Sequence, residues 1–150
     1  MIVGLLLNGT VAAVQLIIIS FLLSRFTRDI VGRSLLAIVL IIAALAYVAF
    51  AVRAGEGAFW MVGELVGVGI YGIMGLLGLR GSPMWLAAGW ALHPLWDVVL
   101  HYFGPGSSFA PISYTIPCVS FDLLVAVYIA IAYGSGILGG CRAALRETAP

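Results

Sequence analysis

The sequence predicts an all-α membrane protein, a single polytopic bundle of five transmembrane helices. Hydrophobic residues make up 63% of the 150 residues and charged residues only 9%, with a mean hydropathy of +1.19. Soluble domains carry about 25% charged residues. The apolar residues fall into five runs, each long enough to cross a bilayer as a helix, which takes about 20 residues. Composition and run length together therefore predict an integral membrane protein.

The five predicted spans are separated by short segments rich in Arg, Gly, Ser and Pro. They cover residues 3–23, 34–52, 58–79, 84–102 and 112–138. No remaining segment is long enough to fold as a soluble domain. The sequence thus predicts one transmembrane domain over residues 1–140 and a short cytoplasmic tail over residues 141–150.

The arginines predict the orientation of the bundle. Six of the seven follow the first, third or fifth span and so share one side of the membrane: Arg25, Arg28, Arg33, Arg80, Arg142 and Arg146. Only Arg53 lies on the other side. An excess of Arg in short loops marks the cytoplasmic face, so the N-terminus is predicted outside and the C-terminus in the cytoplasm. The net charge of +1 and the lack of a basic block exclude nucleic acid as a partner.

Ionisable side chains inside the spans are the main functional signal. There are five, with no Lys or Arg beside them: Glu64, His93, Asp97, His101 and Asp122. Such residues are costly in hydrocarbon and normally face the bundle interior or a wet cavity, where they have a partner. Three of them are spaced four residues apart on the fourth span, so each step advances only about 40° around the helix. They therefore form one stripe, and neighbours on it could chelate a metal.

Depth along the helix axes, at about 1.5 Å per residue, sorts these residues into pairs. Glu64 and Asp97 lie about 9 and 8 Å below the outer ends of their helices, and His93 and Asp122 about 14 and 15 Å. His101 is expected near the outer rim, where water would solvate it. Pro94 and Pro117 are expected to kink their helices and to shape a cavity. These positions predict one polar pocket that opens to the outside.

The predicted chemistry depends on which positive charge offsets the three carboxylates. Three neighbouring carboxylates cannot all stay ionised in a low dielectric without cations, and a His nitrogen with carboxylate oxygens suits zinc, iron or manganese. We therefore predict a divalent transition metal held by His93, Asp97, Asp122 and Glu64, with Glu64 also the candidate general base. Four residues are candidates for supporting or rim positions around it: His101, Cys118, Tyr71 and Asn8. Metal-assisted activation of water, acting on a lipid-phase or small substrate, would be the reaction.

Two other functions stay open at this point, and so does the question of whether the protein is an enzyme. The same residues could carry protons or cations in a coupled transporter. They could also fix helix packing in an accessory or structural subunit of a larger membrane complex. Glycines along the third span, including Gly63 and Gly67, suit either a tightly packed central helix or a homo-oligomer face. Membrane lipid is the expected surrounding partner in every case.

Two motifs carry a resemblance to known proteins. The pattern HxxWDxxxH at residues 93–101, followed by PCxxFD at residues 117–122, resembles small uncharacterised bacterial multi-helix integral membrane proteins. The resemblance covers the last third to half of the chain and implies a bacterial inner (plasma) membrane protein with a shared polar site, but no reaction. Ceramidase-like intramembrane metal hydrolases also use His and Asp on several helices. They usually have seven spans and three ligand histidines, which argues against membership for a chain with two histidines.

Overall fold

The computed structural model describes residues 1–138, and these residues form an all-α bundle as predicted. The long helices are α1 (Ile2–Phe26), α2 (Asp29–Ala54), α3 (Ala58–Arg80), α4 (Met84–Trp96) and α5 (Ile112–Gly134). A π-helical segment, Asp97–Tyr102, continues α4 without a break, and a 3₁₀ turn, Pro105–Ser108, lies in the loop before α5. The predicted tail, with Arg142 and Arg146, lies outside the described residues.

The outer surface of the bundle is apolar, and the polar side chains are inside. Four helices, α1, α2, α3 and α5, are long and apolar enough to cross a membrane. Large hydrophobic side chains such as Leu7, Ile42 and Val62 are more than half exposed, whereas His93 and Asp122 are fully buried. This is the distribution expected of an integral membrane protein, because lipid solvates the apolar exterior.

The helices follow one another around the bundle in chain order. Each packs against the next, and α5 closes the ring by packing against α1, its most extensive partner. Fully buried side chains fill the centre: Leu36, Leu40, Leu86, Trp90, Val125 and Ile129. Since α4 and α5 are neighbours in this ring, residues from both helices can meet in the interior.

The α1–α5 contact depends on a small residue on α1. A Cβ atom at Gly9 would overlap the carbonyl oxygen of Pro117 on α5, so only glycine allows this approach. The Ser120 hydroxyl also donates a 2.7 Å hydrogen bond to the carbonyl of Leu6. Small residues and hydroxyl groups are the usual means by which membrane helices associate, because lipid offers no hydrophobic drive to bring them together.

Replacing Gly9 is therefore expected to weaken the bundle. In Gly9→Ala the new methyl group must push α5 away, and overpacking of this kind costs about 1–3 kcal/mol. Gly4→Ala on the same helix is the matched control, because its Cβ would meet no atom within 4 Å. Thermal unfolding in the same detergent should show a lower Tm for Gly9→Ala only. Equal Tm values for the two variants would contradict the close contact.

Pro94 changes the hydrogen-bonding pattern of α4. Proline has no N–H group and its ring crowds the preceding turn, and three residues later the helix takes a π-helical pattern. The Phe103 N–H accordingly donates to the carbonyl of Val98, five residues back, at 2.9 Å. Such π segments are rare and are frequent at functional sites. Asp97 and His101 both lie in this one, so it sets the direction of their side chains.

Two helices have ends that differ from the ends of the predicted spans. Helix α2 begins at Asp29 rather than residue 34, and its first turn carries an ion pair of 3.2 Å between Asp29 and Arg33. Helix α5 ends at Gly134 rather than residue 138. Gly136 has a φ of 76°, a left-handed conformation that favours glycine, and the Leu138 N–H then folds back to the carbonyl of Ala132 at 2.8 Å. The predicted span extended past this turn because the residues that follow it, Ile137 and Leu138, are also apolar.

Arginines gather at one end of the bundle. The Arg33 guanidinium donates to the Gly78 carbonyl at 3.1 Å, joining the start of α2 to the end of α3. Arg25 and Arg28 lie where α1 connects to α2, and Arg80 is the last residue of α3. All three therefore lie at this same end of the bundle. Arg53 lies at the far end of α2. Within the described residues, the basic side chains are thus divided four to one between the two ends.

Candidate functional site

The interior of the bundle holds all five ionisable residues that the sequence singled out. Glu64 is 2% exposed, and the other four have no exposed surface. They do not form one group. Three of them meet between α4 and α5, and the other two form a separate pair.

The first group, the three-residue cluster, consists of His93, Asp97 and Asp122. His93 Nδ1 is hydrogen-bonded to Asp122 Oδ2 at 2.8 Å and lies 3.5 Å from Asp97 Oδ2. One possible ligand atom from each residue can be chosen so that all three lie within 4.8 Å of one another. The cluster brings together His93 of α4, Asp97 at the start of the π segment and Asp122 of α5. His93 and Asp122, which the sequence analysis matched in depth, are thus in direct contact.

Most polar atoms of the three-residue cluster have no hydrogen-bond partner among the described protein atoms. These atoms are His93 Nε2, both carboxyl oxygens of Asp97, and Asp122 Oδ1. A buried polar atom without a partner costs about 1–3 kcal/mol, and nearly all such atoms in folded proteins are satisfied. Four such atoms on three contacting side chains are therefore a strong indication of a binding site.

Three side chains surround the cluster. The edge of the Tyr71 ring meets the His93 ring, with centroids 4.9 Å apart. The thiol of Cys118 and the hydroxyl of Tyr47 are neighbours of the Asp97 carboxyl group. The Tyr47 hydroxyl makes no hydrogen bond to any of the described residues. Tyr71 and Cys118, two of the supporting candidates, thus adjoin the cluster. Asn8, the fourth supporting candidate, is exposed on α1 and reaches the cluster only through a cavity that also touches Asp122.

The second group is the Glu64–His101 pair. His101 Nε2 and Glu64 Oε1 are hydrogen-bonded at 2.9 Å. The Tyr47 ring stacks on the imidazole, with centroids 3.9 Å apart and planes 18° from parallel. The other ring nitrogen, Nδ1, has no partner among the described atoms.

The expectation of a solvated His101 at the rim is wrong. The loop after the π segment folds over the imidazole, and Gly106 lies so close that a Cβ there would stand 2.7 Å from the ring. Phe109 covers another side of the ring edge-on. The rim estimate failed because it counted residues to the end of the helix and took no account of the loop above it.

The expectation of one pocket that includes Glu64 is also wrong. Glu64 was matched in depth with Asp97, but its carboxylate meets His101 instead, and it is not among the three residues whose ligand atoms converge. Depth fixes a position along a helix axis and not the direction in which a side chain points. The general-base role of Glu64 stays a prediction.

Sequence reasoning missed two interior residues. Tyr47 on α2 is 1% exposed and lies between the two groups, with its ring on His101 and its hydroxyl near Asp97. Thr115 on α5 is also fully buried. A hydroxyl within a long apolar run was the signal for Tyr47, but tyrosine is common near membrane surfaces and attracts little notice.

Comparison with known proteins gives a family and no activity. No curated protein and no solved structure matches the chain. Residues 8–135 match the model of DUF6010, a family of unknown function. That match contains both polar groups and most or all of every long helix. The chain therefore belongs to the DUF6010 family.

Proposed function

We propose that this protein binds a divalent transition metal within the membrane, through His93, Asp97 and Asp122. One observation carries the proposal: three fully buried side chains with ligand atoms within 4.8 Å of one another, most of whose polar atoms have no partner among the described residues. The chain contains no Lys, and the described arginines lie at the helix ends.

Charge and geometry both favour a cation at this point. Two carboxylates beside one histidine repel each other in a low dielectric unless a positive charge lies between them. Both approach the same ring nitrogen, Nδ1 of His93. A metal bound there would replace the proton of the His93–Asp122 hydrogen bond. Bonds of about 2.0–2.2 Å from a metal to nitrogen and oxygen suit the 3.5 Å between Nδ1 and Asp97 Oδ2, and this donor set suits zinc, iron or manganese.

The proposal includes a fifth crossing and an orientation. The helix from Met84 to Tyr102, α4 with its π segment, is about 28 Å long at 1.5 Å per residue, close to the hydrocarbon thickness of about 30 Å. The arginine-rich end would face the cytoplasm, with the N-terminus outside. The proposed location is a bacterial inner membrane, with lipid as the surrounding partner.

A metal in this position would supply activated water for a hydrolytic reaction on a lipid-phase or small substrate. The protein's own contribution would be to fix the ligands and to exclude bulk water. The burial of all three ligands and the ring of Tyr71 against His93 support that contribution. Glu64 is not part of the proposed ligand set, because His101 engages its carboxylate.

Elemental analysis of the purified protein tests the proposal. Protein supplied with zinc, iron and manganese is expected to retain about one metal ion per chain, and His93→Gln or Asp122→Asn should lose most of it. His101→Gln is the matched control, because it changes a buried histidine of the other group and should keep the metal. Circular dichroism and size-exclusion chromatography confirm that the variants are folded. A folded wild-type protein that takes up no transition metal would contradict the proposal.

Transport of protons or cations is the second candidate, and the position of Tyr47 favours it. The Tyr47 ring stacks on the His101 ring, and its centroid lies 6.2 Å from the centroid of the His93 ring. Tyr47 therefore lies between the two polar groups. A transport path would need both groups, whereas metal binding needs only the three-residue cluster. Flux of protons or cations into liposomes that is lost in both His93→Gln and His101→Gln would favour transport.

A further inference from the structure

Apolar side chains close the interior of the bundle between the three-residue cluster and the arginine-rich end. Five of them are fully buried on this side of the cluster: Leu36, Leu40, Leu86, Val125 and Ile129. An ion that crossed this layer would have to lose its hydration shell, and these side chains offer no polar atom in return. A cation that reaches the cluster therefore needs another route.

The crevice on the flank of the bundle is an equally poor route for an ion. It has a volume of about 290 Å³, runs between α1, α2 and α5, and touches Cys118 and Asp122. Both residues are buried, and Asp122 has no exposed surface. The crevice opens on the apolar exterior of helices long enough to span a membrane. A hydrated cation would thus have to cross hydrocarbon before it could enter.

The end of the bundle that carries Arg53 is closed by a short loop, residues 104–110, here named the cap loop. A 3₁₀ turn, Pro105–Ser108, forms its centre. The hydrogen bonds of the cap loop to described residues all stay within the loop, such as the one from the Ser107 N–H to the Gly104 carbonyl at 3.1 Å. Packing alone thus holds the cap loop against the helices, and segments with few such ties open at low free-energy cost.

The Glu64–His101 pair lies directly beneath the cap loop. Phe109 packs edge-on against the rings of His101 and Trp60, with centroids 5.6 and 5.0 Å away. Gly106 covers the imidazole, and His101 Nδ1 has no partner among the described atoms. A cation that entered under the cap loop would therefore first meet this imidazole and the Glu64 carboxylate. These donors are of the same kind as those of the cluster and suit the same metals.

Side chains with nitrogen or oxygen donors continue from this pair to the cluster. His101, Asp97 and His93 follow one another at intervals of four residues along the π segment and α4, so each lies about one helical turn from the next. The Tyr47 ring lies between the two histidine rings, with centroids 3.9 and 6.2 Å away. Its hydroxyl neighbours the Asp97 carboxyl group. A cation that leaves His101 thus has a donor at every turn down to the cluster.

We propose that the Glu64–His101 pair is an entry site for divalent cations, and that the cap loop is the lid that opens this site to water. The pair holds a cation less tightly than the cluster, because it supplies two donors and the cluster supplies three. The cation then moves on to the cluster. The metal as cargo rests on the proposed function, whereas the lid and the entrance are testable without a metal.

The rate at which the metal-free protein takes up zinc tests the lid. In Gly106→Ala the new Cβ atom would stand 2.8 Å from the Leu100 carbonyl oxygen and 2.7 Å from the His101 ring, so the cap loop cannot close fully. Uptake from a fluorescent zinc indicator and release to a chelator should both be about tenfold faster, because overpacking favours the open loop. Phe109→Ala removes packing without a clash and should act in the same direction. Gly57→Ala at the same end is the control, since its Cβ would meet no atom within 4 Å.

Glu64→Gln tests the entry site in the same assay. The amide keeps a hydrogen-bond partner for His101 but removes the charge that attracts a cation, so uptake should be about tenfold slower. The final zinc content should equal that of the wild type. Glu56→Gln is the control, because it removes a carboxylate near the same end that belongs to neither polar group. An unchanged rate, or a lower final zinc content, would overturn the entry role.

Modification of His101 by diethyl pyrocarbonate, read by mass spectrometry, tests the lid without a metal. His101 should react about tenfold faster in Gly106→Ala and Phe109→Ala than in the wild type. It should react at the wild-type rate in Ala12→Phe, which fills the crevice on the flank instead. This pattern in a protein that binds no zinc would support the lid while the proposed function fails. A zinc-loaded protein whose lid variants change neither rate would overturn this inference alone.

Discussion

Tyr47→Ala is expected to lower the free energy of unfolding by about 3–5 kcal/mol, the range for large aromatic residues cut to alanine in a core. Tyr47 is 1% exposed and contacts both polar groups from the opposite side of the bundle. Its ring stacks on His101 at 3.9 Å and meets Tyr114 edge-on at 5.5 Å. The cavity left by the ring would open between the two groups of ionisable residues that the ring now separates.

Tyr47→Phe separates the ring from the hydroxyl. The hydroxyl is buried and makes no hydrogen bond within the described structure, so its removal should change stability by less than about 1 kcal/mol and could raise it. Thermal or denaturant unfolding in one detergent compares the two variants. A phenylalanine variant as unstable as the alanine variant would contradict the packing argument.

The metal content of Tyr47→Phe adds a second result. The hydroxyl neighbours the Asp97 carboxyl group, close to the proposed ligands. If it holds the Asp97 side chain or binds the metal, occupancy should fall while stability stays nearly constant. Unchanged occupancy would limit the role of Tyr47 to packing.

The helices could be predicted from the sequence because the bilayer imposes a simple rule on the chain. Every backbone polar group must be paired within its own segment, so an apolar run of sufficient length has to be a helix. The residues at which the helices begin and end are harder to predict, because local interactions determine them. Asp29 and Arg33 extended α2 through a local ion pair, and Gly136 ended α5 through a left-handed turn, and neither feature changes the hydropathy of the run.

The site was only partly predictable for a similar physical reason. Ionisable residues in apolar runs are rare, which is why all five interior residues could be named. Their pairing was harder, because it depends on rotation about each helix axis as well as depth. Pro94 and the π segment changed that rotation for Asp97 and His101, and Gly106 let a loop cover His101. Neither effect has a clear signature in one sequence.

The Glu64–His101 pair yields the second large prediction. Glu64→Leu and His101→Leu should each destabilise the protein by about 3–5 kcal/mol, the range for removing one partner of a buried pair. In the wild type, His101 Nε2 and Glu64 Oε1 are hydrogen-bonded at 2.9 Å. Each single change removes one partner and leaves the other polar group buried without it. The double variant removes both and should be much closer to the wild type, since apolar residues often replace a buried pair without loss.

A double-mutant cycle measures this coupling in one detergent, with the Asp29–Arg33 pair in the first turns of α2 as the control. That pair has partly exposed side chains and a distance of 3.2 Å, so its coupling should be about 0–1 kcal/mol. Additive costs for Glu64 and His101 would contradict the buried contact. A stable double variant that keeps its metal and its liposome flux would assign the pair to helix packing. A stable double variant that loses flux but keeps its metal would assign the pair to transport, and then the protein would use its two polar groups for one path.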